Sequence, residues 1–364
     1  MLNGGSTSHG DTMTAPGTKP APLAGSASTA PALRRRLPLV EWAVFGAFAV
    51  LPFLLADFLT VFASRLMILA LLAISFDLVY GFAGIMSFGQ ALFFGAAGYS
   101  VALLARDLGV SSVLVVLPAV LGVGLVLSWL VSSFLLLGRH PPSVTFVALG
   151  TLTAAFAAEE LARSWYYLGG QNGIPGVPQL TLGHFEFSDL AFYYLVFALF
   201  SAVYLLCRAL VRSQFGLALA GIRDQEQRLG FFGYRIDTFK TIIFTIAGAI
   251  AGLAGGLYAY HEGFVWPSMM GVVLSTQIVL YCLFGGVGTL IGAVLGVIAI
   301  ESATYALSEQ LPTIWPVVLG IILLVVILFR PTGLIGLVVS ERERTGDFGR
   351  PGPGAPRGTS SDAA

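Results

Sequence analysis

The chain has 364 residues and a formal net charge of zero, with 19 Lys and Arg balanced by 19 Asp and Glu. Hydrophobic residues make up 56% of it and charged residues only 10%, whereas a soluble domain carries about 25% charged residues. This composition excludes a soluble globular domain, argues against a nucleic-acid partner, and predicts an integral membrane protein in contact with lipid.

Both ends of the chain are predicted to be disordered tails. Residues 1–36 are rich in small residues and lack the apolar core of a signal peptide. Residues 339–364 are polar and rich in Gly and Pro. The basic run Arg34-Arg35-Arg36 directly precedes the first hydrophobic segment, so the positive-inside rule predicts a cytoplasmic N-terminus.

Residues 37–338 are predicted to form an all-α polytopic membrane bundle with about eight to ten spans of about 20 apolar residues each. We expect spans at 40–60, 62–80, 87–106, 110–137, 143–163, 189–211, 239–261, 272–284, 289–307 and 314–331. The eighth is short, and the glycine-rich run 285–288 separates it from the ninth. Because non-helical backbone at membrane depth needs protein or water around it, we predict a broken or re-entrant pair here.

The distribution of Lys and Arg supports this topology. With ten spans, Arg139, the segment 212–240 and the tail after Arg330 all fall on the cytoplasmic side. Few basic residues fall on or near the outside: Arg65, Arg106 and Arg163. We therefore predict a multi-pass protein of the plasma or inner membrane with both termini in the cytoplasm.

The segment 164–188 is the longest predicted outer loop. It combines aromatic residues with turn-forming Gly, Asn and Pro. It is either a docking surface for a partner or a simple connector, and the sequence favours neither.

The polar island 212–240, RSQFGLALAGIRDQEQRLGFFGYRIDTFK, collects much of the charge of this apolar chain. Mixed signs suit contact with a soluble partner better than with anionic lipid, and a solvated linker is the other alternative. The candidate contact residues are Arg223, Asp224 and Glu226, while Gly216 and Gly233 are expected to shape the turns.

Polar groups and glycines inside the spans are candidates for a translocation path, because broken helices line substrate paths in transporters. These candidates are Gly81, Gly84, Ser87, Gln90, Gly285, Gly286 and Gly288. Asp77 and Glu301 are either buried proton relays or structural hydrogen-bonding groups. Two glycine series with four-residue spacing are interpreted as close helix packing: Gly248, Gly252, Gly256 and Gly288, Gly292, Gly296.

Catalytic and cofactor chemistry is not predicted. Cys207 and Cys282 lie in apolar segments as packed thiols, and the scattered histidines indicate neither a metal site nor a cofactor. The sequence holds no GxxxxGK[ST] motif, so ATP-driven transport needs an ATPase on another chain. We predict no enzyme activity; an intramembrane enzyme lacks its convergent residues.

Four sequence blocks are typical of one family. They are DLVYGFAGIMSFGQ at 77–90, the segment 151–160 with GQNGIPG at 170–176, FGLALAGIRDQE at 215–226, and GGVGTLIG at 285–292 with FRPTGLIG at 329–336. Over residues 66–338 the chain resembles the permease subunits of bacterial ABC importers for branched-chain amino acids, and of the related urea and short-chain amide importers.

The resemblance implies a heterodimer with a homologous second permease, two cytoplasmic ATPases, and a periplasmic or lipoprotein substrate-binding protein. The island 212–240 would be the ATPase coupling loop, although Gln225, Gln227 and Arg228 depart from the family pattern. The segment 307–315 looks closer to the urea type and 272–278 to the amino-acid type. A proton-coupled secondary carrier is the alternative of a different class.

Overall fold

The computed structural model describes residues 36–54, 57–136, 144–183, 185–310 and 333–337, with the single positions 317, 320, 321 and 324. Most of the two predicted tails, Arg139 and most of the predicted span 314–331 lie outside these residues. The α-helices are α1 (Arg36–Leu54), α2 (Asp57–Asp77), α3 (Gln90–Leu108), α4 (Val113–Leu136), α5 (Val144–Ser164), α6 (Asp189–Arg212), α7 (Gln214–Phe231), α8 (Ile236–Glu262), α9 (Val272–Gly285) and α10 (Ile291–Gln310). The predicted all-α membrane bundle is confirmed.

Among the described helices, seven are long and apolar enough to cross a membrane, and α1 and α9 contribute shorter apolar stretches. Helix α9 has 14 residues, which extend about 21 Å and fall short of a hydrocarbon core of about 30 Å. The prediction of a short, interrupted eighth span is therefore confirmed.

Two predicted boundaries were wrong. The first span was drawn to residue 60, but α1 contains Pro52 and ends at Leu54, and α2 begins at Asp57. The third span was drawn from residue 87, but α3 begins at Gln90. Gly84 has a φ of +71°, which interrupts a right-handed helix ahead of α3.

The polar island lies between the long helices α6 and α8. Most of 212–240 is helical, as α7 and the first turn of α8. Gly216, Leu219 and Ile222, each three residues after the last, are buried on one face of α7, so the segment packs against the bundle by helical periodicity.

Helix α8 lies at the centre of the bundle, with 78% of its most apolar window buried, against 17% for α5 and 28% for α4. It packs on α4 through the predicted glycine stripe. A Cβ at Gly248 or Gly252 would meet Gly124 of α4, and one at Gly256 would meet Val120. Small residues let the two backbones approach closely.

The bundle has two distinct ends. One end holds α7, and we call it the α7 end. The opposite end carries two short antiparallel pairs, β1 (Ile174–Pro175) with β4 (Phe264–Val265), and β2 (Thr181–Leu182) with β3 (Phe185–Glu186). Both cysteines are buried and free, as predicted.

Candidate functional site

Helix α7 is separated from α6 by a break of one residue, Ser213. Ser213 has extended backbone angles at the N-terminus of α7, and its Oγ donates to the Leu210 carbonyl at 2.6 Å. A Cβ at Gly216 would collide with the Val211 carbonyl, and Gly233 closes the far turn with a φ of +83°. Gly216 thus lies in the first turn of α7 against the end of α6, and Gly233 lies in the turn between α7 and α8.

The buried side of α7 makes two polar contacts with the bundle. Arg223 Nη1 donates to the Gly81 carbonyl at 2.5 Å, and Lys240 Nζ of α8 donates to Glu226 Oε1 at 2.7 Å. The Lys240 side chain is only 9% exposed. Arg223 and Glu226 were predicted as contacts to a soluble partner. These two bonds join them to this chain's own helices, and 27% and 36% of their side chains stay exposed.

The other side of α7 is exposed. Asp224 is 49% exposed and accepts from Arg223 Nε at 3.3 Å. The helix is interrupted at Gln225, whose φ of −151° is non-helical. Beyond it, Phe231 is 91% and Phe232 80% exposed. Sequence reasoning missed this aromatic pair, although two phenylalanines inside a charged segment were a signal for it.

Next to Arg223 the second helix of the bundle is broken. Helix α2 widens into a π-helix at Leu78–Phe82, and residues 83–89 have no regular helix. Thr151 Oγ1 accepts from the Phe88 amide at 3.0 Å, and Ser275 Oγ donates to the Phe88 carbonyl at 2.7 Å. This broken segment is therefore fixed between α5 and α9. Here Ser87 Oγ accepts from the Gly89 amide.

Gln90, the first residue of α3, is buried. Its Oε1 lies 3.5 Å from Ser75 Oγ, and its Nε2 has no hydrogen-bond partner. It is the one predicted path residue with an unsatisfied buried side-chain donor, and buried donors of this kind are uncommon.

Asp77 joins the π-helix to the second break, the α9–α10 turn (286–290). Its fully buried carboxyl group accepts from the Gly288 amide at 2.6 Å and from the Leu290 amide at 2.9 Å. Gly81 lies directly against Gly288, because a Cβ at Gly81 would meet the Gly288 backbone. The two breaks that the sequence predicted separately are thus in contact.

Glu301 belongs to a different polar cluster. It accepts from the Tyr281 hydroxyl and from Gln277 Nε2 at 3.1 Å, and its Oε2 lies 3.7 Å from Arg65 Nε. Asp77 and Glu301 both have structural partners. These contacts favour the structural interpretation of both carboxyl groups over a proton relay.

The predicted path residues differ in their surroundings. Gly84 lines a cavity of about 120 Å³ at the α7 end, together with Arg223, Glu226 and Lys240. Gly285 and Gly286 pack against Gly292 and Gly333. That these residues line a translocation path stays a prediction. Among the described residues, no group of three His, Cys, Asp or Glu is placed to hold a metal.

The predicted outer loop is ordered at the opposite end. Arg106 Nη1 donates to the Tyr167 carbonyl at 2.8 Å, and its guanidinium lies 4.5 Å from the centre of the Tyr167 ring. A Cβ at Gly173 would collide with Val265 and Trp266. The loop presents Tyr166, 94% exposed, and Trp165, 53% exposed.

Within the described part of the chain, these features define a multi-pass membrane protein in which a charged helix outside the candidate spans is hydrogen-bonded to a helix break within one of them. Residues 58–328 match the family model described as branched-chain amino acid transport system / permease component. The chain belongs to this family of ABC transporter permeases, and the predicted family resemblance is confirmed.

Three relatives illustrate the range of the family. The high-affinity branched-chain amino acid transport system permease protein LivM of Escherichia coli is 25% identical over 308 residues, covering 78% of this chain and 71% of LivM. A probable LivM of Methanocaldococcus jannaschii is 24% identical, covering 73% and 89%. The autoinducer 2 import system permease protein LsrC of Yersinia enterocolitica is 28% identical, covering 68% and 74%. No solved structure gives a significant match.

Proposed function

We propose that this chain is the permease subunit of an ATP-driven ABC importer and forms, with residues 37–338, the translocation path for branched-chain amino acids (leucine, isoleucine and valine). The observation that carries the proposal is α7, an amphipathic helix outside the candidate spans with one face bonded to the membrane domain and one exposed. A transport subunit without a nucleotide-binding motif needs a helix that contacts both the membrane domain and a separate ATPase, so that ATP hydrolysis can change the conformation of the membrane domain.

Contact with the ATPase is assigned to the exposed side of α7. Asp224 offers a charge there, and Phe231 and Phe232 offer apolar surface that is solvent-exposed in the isolated chain. Exposed aromatic side chains flanked by charge are typical of interface anchors. On this proposal Asp224, Phe231 and Phe232 make the contact, and Gly216 and Gly233 set the orientation of the helix.

Replacing Phe231 and Phe232 together with alanine is expected to reduce the recovery of the ATPase with the affinity-tagged permease at least about tenfold, because removing two interface anchors weakens binding by 2 kcal/mol or more. The matched control is Tyr166→Ala, which removes an equally exposed aromatic ring at the opposite end. Undiminished recovery with the double variant would place the docking surface elsewhere.

The remaining partners follow from the same proposal. A homologous second permease completes a heterodimer, and two ATPases bind at the α7 end, which is then cytoplasmic, as are both termini. A periplasmic or lipoprotein binding protein docks on the ordered aromatic loop 164–188 at the opposite end. The basic residues of α7 and its flanks support this orientation in a plasma or inner membrane.

The cargo is tested with the complete transporter in proteoliposomes. We expect uptake of labelled leucine that requires the ATPases, the binding protein and ATP, and that excess isoleucine or valine suppresses. Uptake driven by a proton gradient through this chain alone would establish the secondary carrier instead. Suppression by urea or short-chain amides, but not by isoleucine, would assign the cargo to the related importers.

A second cargo candidate comes from the relatives. The similarity to LsrC of Yersinia enterocolitica extends over 68% of this chain, so autoinducer 2 belongs in the same competition assay. Suppression of uptake by autoinducer 2 alone would favour that assignment.

A further inference from the structure

We propose that Arg223 is a positioning residue that carries the movement of α7 into the membrane domain by holding the Gly81 carbonyl, rather than a contact to the ATPase. This inference rests on the proposed role of α7 as the coupling helix. It adds the route by which a displacement of that helix reaches the helix breaks.

The Arg223 side chain is largely enclosed. Its Nη1 donates to the Gly81 carbonyl at 2.5 Å. A Cβ built on Gly84 would lie 2.8 Å from Arg223 Cγ, and one built on Gly288 would lie 3.7 Å from Nη1. Gly84 thus leaves space that the Arg223 side chain occupies, and Gly288 of the second break lies within van der Waals range of its guanidinium group. With 27% of its side chain exposed, Arg223 offers little surface to a soluble partner.

The contacts continue from Gly81 to the α9–α10 turn. Gly81 lies in the π-helix that follows Asp77, and the Asp77 carboxyl group accepts from two amides of the α9–α10 turn. α7, the π-helix and this turn therefore form one connected set of hydrogen bonds. A shift of α7 must either move both breaks or rupture the bond between Arg223 and Gly81.

Glu226 and Phe215 of α7 contact the start of α8. Glu226 bonds to Lys240 and so fixes α7 to the start of α8, and the stacked rings of Phe215 and Phe239, 5.2 Å apart, hold the other side of the same junction. Neither contact reaches the breaks. Within the described residues, Arg223 is the α7 side chain with a hydrogen bond to the π-helix, so it alone can transmit motion there by such a bond.

The test uses the complete transporter with its ATPases and binding protein in proteoliposomes. The variants are Arg223→Gln, Arg223→Lys and the control Arg212→Gln, an exposed arginine at the end of α6. For Arg223→Gln we expect intact assembly and unchanged basal ATP hydrolysis. Substrate uptake per ATP hydrolysed should fall about tenfold, within the usual range of coupling between sites.

The conservative variant separates a positioning role from a structural one. Arg223→Lys keeps a charged donor and should recover part of the uptake per ATP, at a thermal unfolding temperature equal to that of Arg223→Gln. The ratio of uptake to hydrolysis, unlike total activity, does not change when part of the protein is simply misfolded.

Three outcomes decide the question. Loss of the ATPase from the Arg223→Gln complex would make Arg223 a docking residue and overturn the proposal. Unchanged uptake per ATP in Arg223→Gln would also overturn it. If the wild-type chain bound no ATPase at all, the proposed function itself would fail, and this is seen before any variant is made.

Discussion

Replacing Asp77 with alanine is expected to destabilise the protein by about 2–6 kcal/mol. The substitution leaves the amides of Gly288 and Leu290 buried without acceptors, and each unsatisfied buried donor costs about 1–3 kcal/mol. Leu290 also has a φ of +53°, a conformation disfavoured for leucine that the Asp77 contact helps to hold. The measurement is the free energy of unfolding, or the unfolding temperature, of the purified chain in detergent.

A control variant and a second variant at Asp77 are compared with Asp77→Ala for the same loss of stability. Asp189→Ala removes an exposed carboxylate in the first turn of α6 and should cost less than about 1 kcal/mol. Asp77→Asn keeps one acceptor oxygen but turns an amide N–H toward the other donor, so its loss should be intermediate. Equal stability of Asp77→Ala and wild type would show that the α9–α10 turn is held by other contacts.

Asp77→Asn also discriminates between transport mechanisms. If the carboxyl group is structural, ATP-driven uptake falls only in proportion to the loss of folded protein. If it is a proton relay, uptake is lost while the unfolding temperature stays close to that of the wild type. The two hydrogen bonds to Asp77 favour the first result.

The sequence predicted the fold class, most of the spans and both breaks, because these depend on local properties. Long apolar runs report burial in lipid directly, and clustered glycines such as 285, 286 and 288 report non-helical backbone. The boundaries predicted at residues 60 and 87 were wrong, because the apolar runs there do not show where Pro52 or Gly84 changes the backbone.

Contacts within the candidate site were harder to predict. Arg223 and Gly81 are 142 positions apart. Because local sequence patterns cover only a few residues, they do not predict that an arginine in the polar island donates to a backbone carbonyl of another helix. Charge alone predicted Arg223, Asp224 and Glu226 as one contact surface. The structure divides them, because helical geometry and the Lys240 partner turn Arg223 and Glu226 inward and leave Asp224 exposed.

The glycines of α4 allow the packing of the central helix α8 to be tested with a matched pair. Gly122 and Gly124 lie two residues apart on the same helix. A Cβ at Gly124 would lie 2.5 Å from the Gly248 carbonyl oxygen and 3.0 Å from Gly252 Cα, whereas a Cβ at Gly122 has no neighbour within 4 Å. The clash at Gly124 is with backbone, which cannot change rotamer to relieve it.

We expect Gly124→Leu to destabilise the protein by about 3 kcal/mol or more, the upper part of the range for overpacking, because α4 and α8 must separate along the whole glycine stripe. Gly122→Leu should be neutral or stabilising by up to about 1 kcal/mol, since leucine is the better helix former. The measurement is the fraction of monodisperse protein that survives heating in detergent. Equal survival of the two leucine variants would mean that α4 and α8 do not pack through these glycines, and Gly124→Ala, expected to fall between them, measures how far the helices can yield.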